Sequence, residues 1–160
     1  MESLAGSYRN AVGDAFSEQT LNLCRQVFLE PNMKSDENRA KLMVASYMGG
    51  CAIATSYVGV VHPFSAGLSV VLGIHHGLAN CIAMVAMEEF YPQQVEEFWH
   101  MVEVQKIDIP RGLCKNLAPE EYEQLYQSTI IHEKPLTNAL GENFKSLLTQ
   151  QKVEEIFRQM

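Results

Sequence analysis

Apolar side chains recur at helical spacing along most of this chain. Pro92 is expected to start a helix whose apolar positions are Val95, Phe98, Trp99 and Val102. This i, i+3, i+4, i+7 spacing places side chains on one face of an α-helix. The C-terminal segment repeats the spacing at Val153, Ile156, Phe157 and Met160. Because no segment of useful length alternates apolar and polar residues as a β-strand does, the sequence predicts an all-α protein, a multi-helix bundle.

Capping residues and prolines mark the ends of the predicted helices. We expect Asp14 to cap a helix that runs to Glu30, where Pro31 stops it. Ser35 and Asp36 are expected to cap a longer helix. Pro119 suits the first turn of another helix, because that turn does not use the N–H that proline lacks.

No Asp, Glu, Lys or Arg occurs between Leu42 and Met87. A membrane-spanning helix needs about 20 apolar residues, and the run from Leu42 to Val61 is long enough. Serine, threonine, tyrosine and glycine dilute this run, however, and no Lys or Arg between it and the next apolar run would set an orientation. We therefore expect no membrane span, and instead a central helix that other helices bury on all sides.

The composition is that of one acidic domain. The chain has 160 residues, a formal net charge of −7 and an isoelectric point near 5.2, and it is long enough to bury a core. Its Lys and Arg residues are scattered without a basic patch, so we expect no nucleic-acid partner and no anionic membrane partner. The four cysteines form no C-x-x-C pair, and no signal peptide is recognisable. This favours reduced thiols and a cytoplasmic protein.

His62 and His76 are the first candidates for chemistry, because they lie within the charge-free block. A buried imidazole is costly unless a hydrogen-bond partner or a metal ion takes its lone pair. On one straight helix the two would lie roughly 21 Å apart, but Gly73 between them can end a helix and reverse the chain. A helix hairpin would then bring both rings to one point, as two metal ligands or as a hydrogen-bonded core pair. His75 would point about 100° away from its neighbour.

The segment from Val61 to Asn80 resembles the C-terminal half of the iron-containing alcohol dehydrogenase family. The family pattern is a histidine and, fourteen residues later, a second histidine that is followed by glycine and, three positions further, by asparagine. The matching residues here are His62, His76, Gly77 and Asn80. The resemblance implies that His62 and His76 bind a divalent metal, Fe²⁺ or Zn²⁺, and that the complete enzyme also uses NAD(P).

The opening residues Met1–Ser7 resemble the end of the family helix that carries two more ligands, an Asp and a His four residues apart. In the family these two ligands come just before a glutamate, and that glutamate aligns with Glu2. Both ligands would therefore precede Met1. The family's N-terminal nucleotide-binding domain has no counterpart in this chain. The resemblance thus implies that residues 1–160 are a single helical metal-binding domain, lacking the nucleotide-binding domain, holding half of the metal site and inactive alone.

Two positions depart from the family pattern. Ala66 stands where members usually have another histidine near the nicotinamide and the substrate, and His75 stands where a proline is common. The resemblance therefore assigns no catalytic residue in this chain.

Within the family, these motifs and the segment Glu133–Gly141 resemble most the 3-deoxy-manno-octulosonate 8-oxidases of lipopolysaccharide sugar biosynthesis. The predicted function is the C-terminal domain of a metal-dependent alcohol dehydrogenase or oxidase. Its substrate would be a small-molecule alcohol or a sugar hydroxyl, such as the 8-hydroxyl of 3-deoxy-manno-octulosonate. The alternative is a catalytically inert helical association module, and a homo-oligomer is possible in either case. The reading frame upstream of the Met1 codon would discriminate between the two.

Overall fold

The structure is a computed structural model that describes all 160 residues. A 3-10 turn at Glu2–Leu4 precedes nine α-helices, and no residue lies in a β-strand, so the all-α prediction is confirmed. The helices are α1 (Ala11–Phe28), α2 (Asp36–Ser56), α3 (Val61–Leu72), α4 (His76–Met84), α5 (Pro92–Gln105), α6 (Pro119–Ile130), α7 (Glu133–Leu140), α8 (Phe144–Leu147) and α9 (Gln150–Phe157).

Three of the predicted helix starts are confirmed. Ser35 is the N-cap of α2, and its hydroxyl accepts the backbone N–H of Asn38 at 3.2 Å. Pro92 and Pro119 are the first residues of α5 and α6. These starts depend on side chains that satisfy or omit the unpaired N–H groups of the first turn, which is a local effect.

The predicted cap of α1 is wrong. Asn10, not Asp14, is the N-cap, and its side-chain oxygen accepts the N–H of Gly13 at 3.0 Å. The same side chain donates to Thr55 O at 3.0 Å across the molecule. This long-range bond fixes the start of the helix at Asn10, and Asp14 falls in the first turn, where it pairs with Arg9.

Helices α1 and α2 form an antiparallel pair, because the start of α1 lies beside the end of α2. Small residues, Ala45 and Ala52, lie buried on α2. The expectation that α2 is buried on all sides is wrong: Met43 and Tyr47 are 76% and 74% exposed. Helix α2 packs mainly on α1, so its opposite face has no helix to cover it, even though α2 carries no charge from Leu42 onward.

The main core lies around α3, which packs against α4 and α6. Phe64 and Leu68 of α3 are fully buried, and the ring of Phe64 lies 5.0 Å from that of Phe157 in α9, measured between centroids. No single helix is both long and apolar enough to cross a membrane. Helices α2 and α3 reach that length and composition only together, and the chain bends by 108° between them.

The chain reverses between α3 and α4 at Gly73, as the sequence predicts. Gly73 is the C-cap of α3 and adopts the left-handed conformation, with φ 67° and ψ 18°. Only glycine takes this conformation without a steric penalty from Cβ. The reversal brings the start of α4 back alongside α3.

We expect Gly73→Ala to lower the free energy of unfolding by about 1 kcal/mol, because the space around Gly73 is open and only the backbone conformation opposes a side chain. Gly50→Ala is the matched control. Gly50 lies within α2 with no atom within 4 Å of a built Cβ, so this change should raise stability by roughly 0.5–1 kcal/mol. Urea unfolding of both variants measures the difference, and equal effects at the two positions would contradict the argument.

Candidate metal centre

The hairpin brings the two candidate histidines together. His62 lies in the first turn of α3, and His76 is the first residue of α4. Their ring centroids are 5.6 Å apart, and the ring planes are inclined by 55°. The predicted convergence of the two imidazoles is therefore confirmed as geometry.

This spacing suits two imidazoles that share one ion. An ion about 2.1 Å from one nitrogen of each ring would hold the centroids roughly 5–6 Å apart. No group of three His, Cys, Asp or Glu side chains in the chain is arranged to hold a metal ion. The chain thus presents two nitrogen donors, and a catalytic metal site needs about three protein ligands.

The surroundings of His62 leave one ring nitrogen available. Its Nδ1 is hydrogen-bonded to Oε2 of Glu2, whose side chain is buried. Its Nε2 has no hydrogen-bond partner, and the side chain is 31% exposed. A histidine ligand commonly has this arrangement, with the second nitrogen bonded to a carboxylate.

His76 is more exposed than His62 and is contacted by Asn80, one turn further along α4. Nδ2 of Asn80 lies 3.2 Å from Nε2 of His76, and Oδ1 of Asn80 is buried without a partner. Desolvation, and next the charges of His62 and His75, lower the pKa of His76. A lowered pKa favours the neutral imidazole, which is the form that binds metal ions.

An apolar cavity of about 380 Å³ lies beside this site. His62 and Asn80 contribute to its wall, together with apolar side chains that include Leu21, Met84 and Phe98. His76 is not part of the wall. Of the two histidines, therefore, only His62 lines this cavity, together with Asn80.

Two of the three other histidines, His75 and His132, and the position of Ala66 lie apart from this geometry. His75 is the exposed N-cap residue of α4 and makes no capping hydrogen bond with its side chain. His132 precedes α7. Ala66 lies half-buried on α3, one turn beyond His62, and its methyl group has no donor atom for a metal or a proton.

Sequence reasoning missed the contact between Glu2 and His62. The sequence places Glu2 in the opening segment but indicates no partner for it, because 60 positions separate it from His62. Tyr91 was missed for the same reason: its hydroxyl accepts the N–H of Val60 at 3.1 Å. The only available signal was an acidic residue in a segment that resembles the end of a ligand-bearing helix.

The family model of the Fe-containing alcohol dehydrogenase family, C-terminal, matches residues 1–109. The chain belongs to the iron-containing alcohol dehydrogenase family. The part that matches holds α1 to α5, with both histidines and Glu2. The remaining helices, α6 to α9, lie beyond the matched residues.

Curated proteins and solved structures are also similar to this chain. Two methanol:N,N-dimethyl-4-nitrosoaniline oxidoreductases are similar: that of Rhodococcus erythropolis is 35% identical over 78 residues, and that of Mycobacterium sp. (strain DSM 3803 / JC1) is 31% identical over 86 residues. These matches cover 48% and 52% of this chain but 18% and 20% of the relatives. The chain therefore matches only about a fifth of the length of these curated relatives.

The fold matches crystal structures of two iron-containing alcohol dehydrogenases, one of them from Thermotoga maritima. Each superposes with a TM-score of 0.69 at 22% identity. Each match covers 98% of this chain and 44% of the other. At this identity the match establishes the fold, and it includes the helices that the family model leaves out.

Proposed function

We propose that this chain is the metal-bearing helical domain of a dehydrogenase or oxidase that acts on an alcohol or sugar hydroxyl. The observation that carries the proposal is the 5.6 Å separation of the His62 and His76 rings at the starts of two helices joined by a reversal. His62 and His76 would each give one nitrogen to a divalent ion, Fe²⁺ or Zn²⁺. Family membership supports this proposal, because iron-containing alcohol dehydrogenases depend on a metal and usually on NAD(P).

A bound divalent ion would supply Lewis acidity that favours the alkoxide of the substrate and so prepares hydride loss to a nicotinamide. The residues of this chain would position the two histidine ligands. Glu2 orients His62, and Asn80 contacts His76. The side chains beside His62 are mostly apolar, and an environment of low polarity strengthens electrostatic interactions.

For the substrate, we propose a terminal sugar hydroxyl such as the 8-hydroxyl of 3-deoxy-manno-octulosonate. The similarity of the segment Glu133–Gly141 to that branch supports it, although this segment has a structural role. Asn138 in α7 is buried, donates to Ser56 O and Val58 O, and accepts the N–H of Tyr8. The segment thus anchors the end of α2 near the metal centre.

The metal assignment is tested by anomalous diffraction from crystals of the chain that have been soaked in Co²⁺. We expect a difference peak within bonding distance of both His62 and His76 at the cobalt absorption edge, because ring nitrogens are good ligands for this ion. Crystals of the His76→Ala variant, soaked in the same way, are the control. A peak that persists there, or that lies only at other histidines, would contradict the proposal.

We also propose that residues 1–160 do not turn over an alcohol by themselves. All regular structure in the chain is helical, and a dinucleotide-binding fold needs a strand that leads into a glycine-rich turn. Adding NAD⁺ or NADP⁺, Zn²⁺ or Fe²⁺ and an alcohol to the purified chain should therefore give no absorbance change at the NAD(P)H band. Robust turnover by a preparation of homogeneous chain would overturn this prediction.

A helical association module is the second candidate. The exposed apolar side chains of α2, Met43, Val44 and Tyr47, favour it, because large apolar patches commonly mark contact surfaces. Sedimentation equilibrium of the chain and of a Met43→Lys, Tyr47→Lys double variant distinguishes the cases. Association that the double variant loses would support this candidate.

A further inference from the structure

The carboxylate of Glu2 divides its two oxygens between the backbone and His62. Oε1 accepts the N–H of Gly59 at 3.0 Å and the N–H of Val61 at 2.7 Å. Oε2 is hydrogen-bonded to Nδ1 of His62. Glu2 is only 6% exposed, and a buried carboxylate is tolerated when donors surround it in this way. The first turn of α3 and the side chain of His62 are thus held by the same group.

The loop that leads into α3 is fixed from two further sides. The hydroxyl of Ser3 donates to Tyr57 O at 2.7 Å, and the hydroxyl of Tyr91 accepts the N–H of Val60 at 3.1 Å. A Cβ on Gly59 would lie 2.2 Å from the hydroxyl oxygen of Tyr91 and 3.1 Å from Oε1 of Glu2. The loop therefore passes too close to the hydroxyl of Tyr91 for a residue with a Cβ to fit unless Tyr91 shifts.

Because a carboxylate only accepts hydrogen bonds, the nitrogen of His62 that faces Glu2 must carry the hydrogen. A neutral imidazole with its hydrogen on Nδ1 has its lone pair on Nε2. Nε2 is also the ring nitrogen for which the structure shows no hydrogen-bond partner. We propose that Glu2 is the positioning residue of the metal centre: it holds His62 in the Nδ1–H tautomer and fixes the ring so that the Nε2 lone pair is presented for metal binding. This inference rests on the proposed role of His62 as a ligand.

Glu2→Gln separates this role from a purely structural one. The amide oxygen of glutamine can still accept the N–H groups of Gly59 and Val61, while its NH₂ group comes to face Nδ1 of His62. An NH₂ group donates, so Nδ1 would have to accept, and the hydrogen of the neutral ring would move to Nε2. The variant keeps the loop in place but reverses the tautomer.

The first readout is the tautomer itself, measured by nitrogen-15 NMR of labelled histidine at about pH 8, where an ordinary histidine is neutral. In the unaltered chain, the His62 signals should be those of an Nδ1–H ring. In Glu2→Gln they should change to those of an Nε2–H ring, whereas the signals of His75 and His132 should stay where they are. This readout needs no metal ion.

The second readout is the affinity for Zn²⁺, measured by calorimetric titration at the same pH. Loss of a carboxylate that orients a ligand typically costs about 10–100-fold in metal affinity, so we expect Zn²⁺ binding by Glu2→Gln to weaken by at least about tenfold. Tyr91→Phe is the matched control, because it removes the acceptor for Val60 N–H in the same loop but does not touch His62. Tyr91→Phe should lower the melting temperature without changing the tautomer of His62. Its affinity for Zn²⁺ should stay within about twofold of that of the unaltered chain, which is much less than the loss expected when an orienting carboxylate is removed.

Each combination of results decides something different. If His62 is already an Nε2–H ring in the unaltered chain, or stays Nδ1–H in Glu2→Gln, the inference is wrong. It is equally wrong if Tyr91→Phe weakens Zn²⁺ binding as much as Glu2→Gln, since general loosening of the loop would then explain both. If His62→Ala leaves Zn²⁺ binding unchanged, the proposed function fails, and the NMR result then describes only the hydrogen bond between Glu2 and His62.

Discussion

Replacing His62 or His76 by alanine is expected to abolish the binding of Zn²⁺ by this chain. Each ring would provide one of only two protein nitrogens at the site, and no third His, Cys, Asp or Glu is placed to substitute for the lost ligand. We expect the unaltered chain to bind Zn²⁺ weakly. In either variant the affinity should fall by more than about tenfold, so that calorimetric titration no longer detects binding. Circular dichroism of each variant verifies that the helices remain.

His75→Ala and His132→Ala are the controls for this prediction. His75 is adjacent to His76 but exposed and without a capping contact, and His132 lies before α7. Both variants should bind Zn²⁺ almost as the unaltered chain does. Binding that survives the loss of both His62 and His76 would mean that other residues are the ligands.

Acidification should weaken the same binding. Protons compete with the metal ion for neutral imidazole, so affinity should fall as the pH passes below the ordinary histidine pKa of about 6.5. Because desolvation, and next the charges of His62 and His75, lower the pKa of His76, competition at that ring should begin below this value. Titrations near pH 7 and near pH 5.5 should therefore differ clearly, and an affinity that does not change with pH would argue against imidazole ligands.

The second large effect concerns the core beneath the metal centre. Phe64→Ala should lower the free energy of unfolding by about 3–5 kcal/mol. Phe64 is fully buried in α3, half a turn from His62, and its ring packs on Phe157 with centroids 5.0 Å apart. Truncation removes a large apolar side chain and leaves a cavity that neighbouring helices can fill only in part. Urea unfolding measures the loss.

Val70→Ala, in the same helix, is the control for Phe64→Ala. Val70 is 73% exposed, so its truncation removes little buried area and should change stability by no more than about 0.5 kcal/mol. If the two variants lose similar stability, α3 is not packed as the structure has it.

The sequence was most informative where local chemistry decides the structure. Proline in the first turn of α5 and α6, serine before α2 and glycine at the reversal after α3 each act through their own backbone or immediate neighbours. Their positions could therefore be predicted without knowing what packs against them. The fixed spacing of His62, Gly73 and His76 likewise made the meeting of the two rings predictable, and the resemblance around them identified the family.

The tertiary structure decided what depends on distant parts of the chain. Absence of charge from Leu42 onward predicted a helix buried on all sides, but burial also needs neighbouring helices, and α2 packs mainly on α1. The N-cap of α1 is Asn10, whose amide also bonds the far end of α2. Neither outcome can be derived from spacing along the sequence.

The same division holds at the metal centre. The sequence by itself determined the all-helical fold, the helix starts at Ser35, Pro92 and Pro119, and the pairing of His62 with His76, because each follows from local backbone preference or from a short, fixed spacing. Only the tertiary structure decided that Glu2 bonds Nδ1 of His62, since that contact joins residues 60 positions apart. A contact of this kind depends on how the opening segment packs against the start of α3, and no sequence pattern within either segment predicts it.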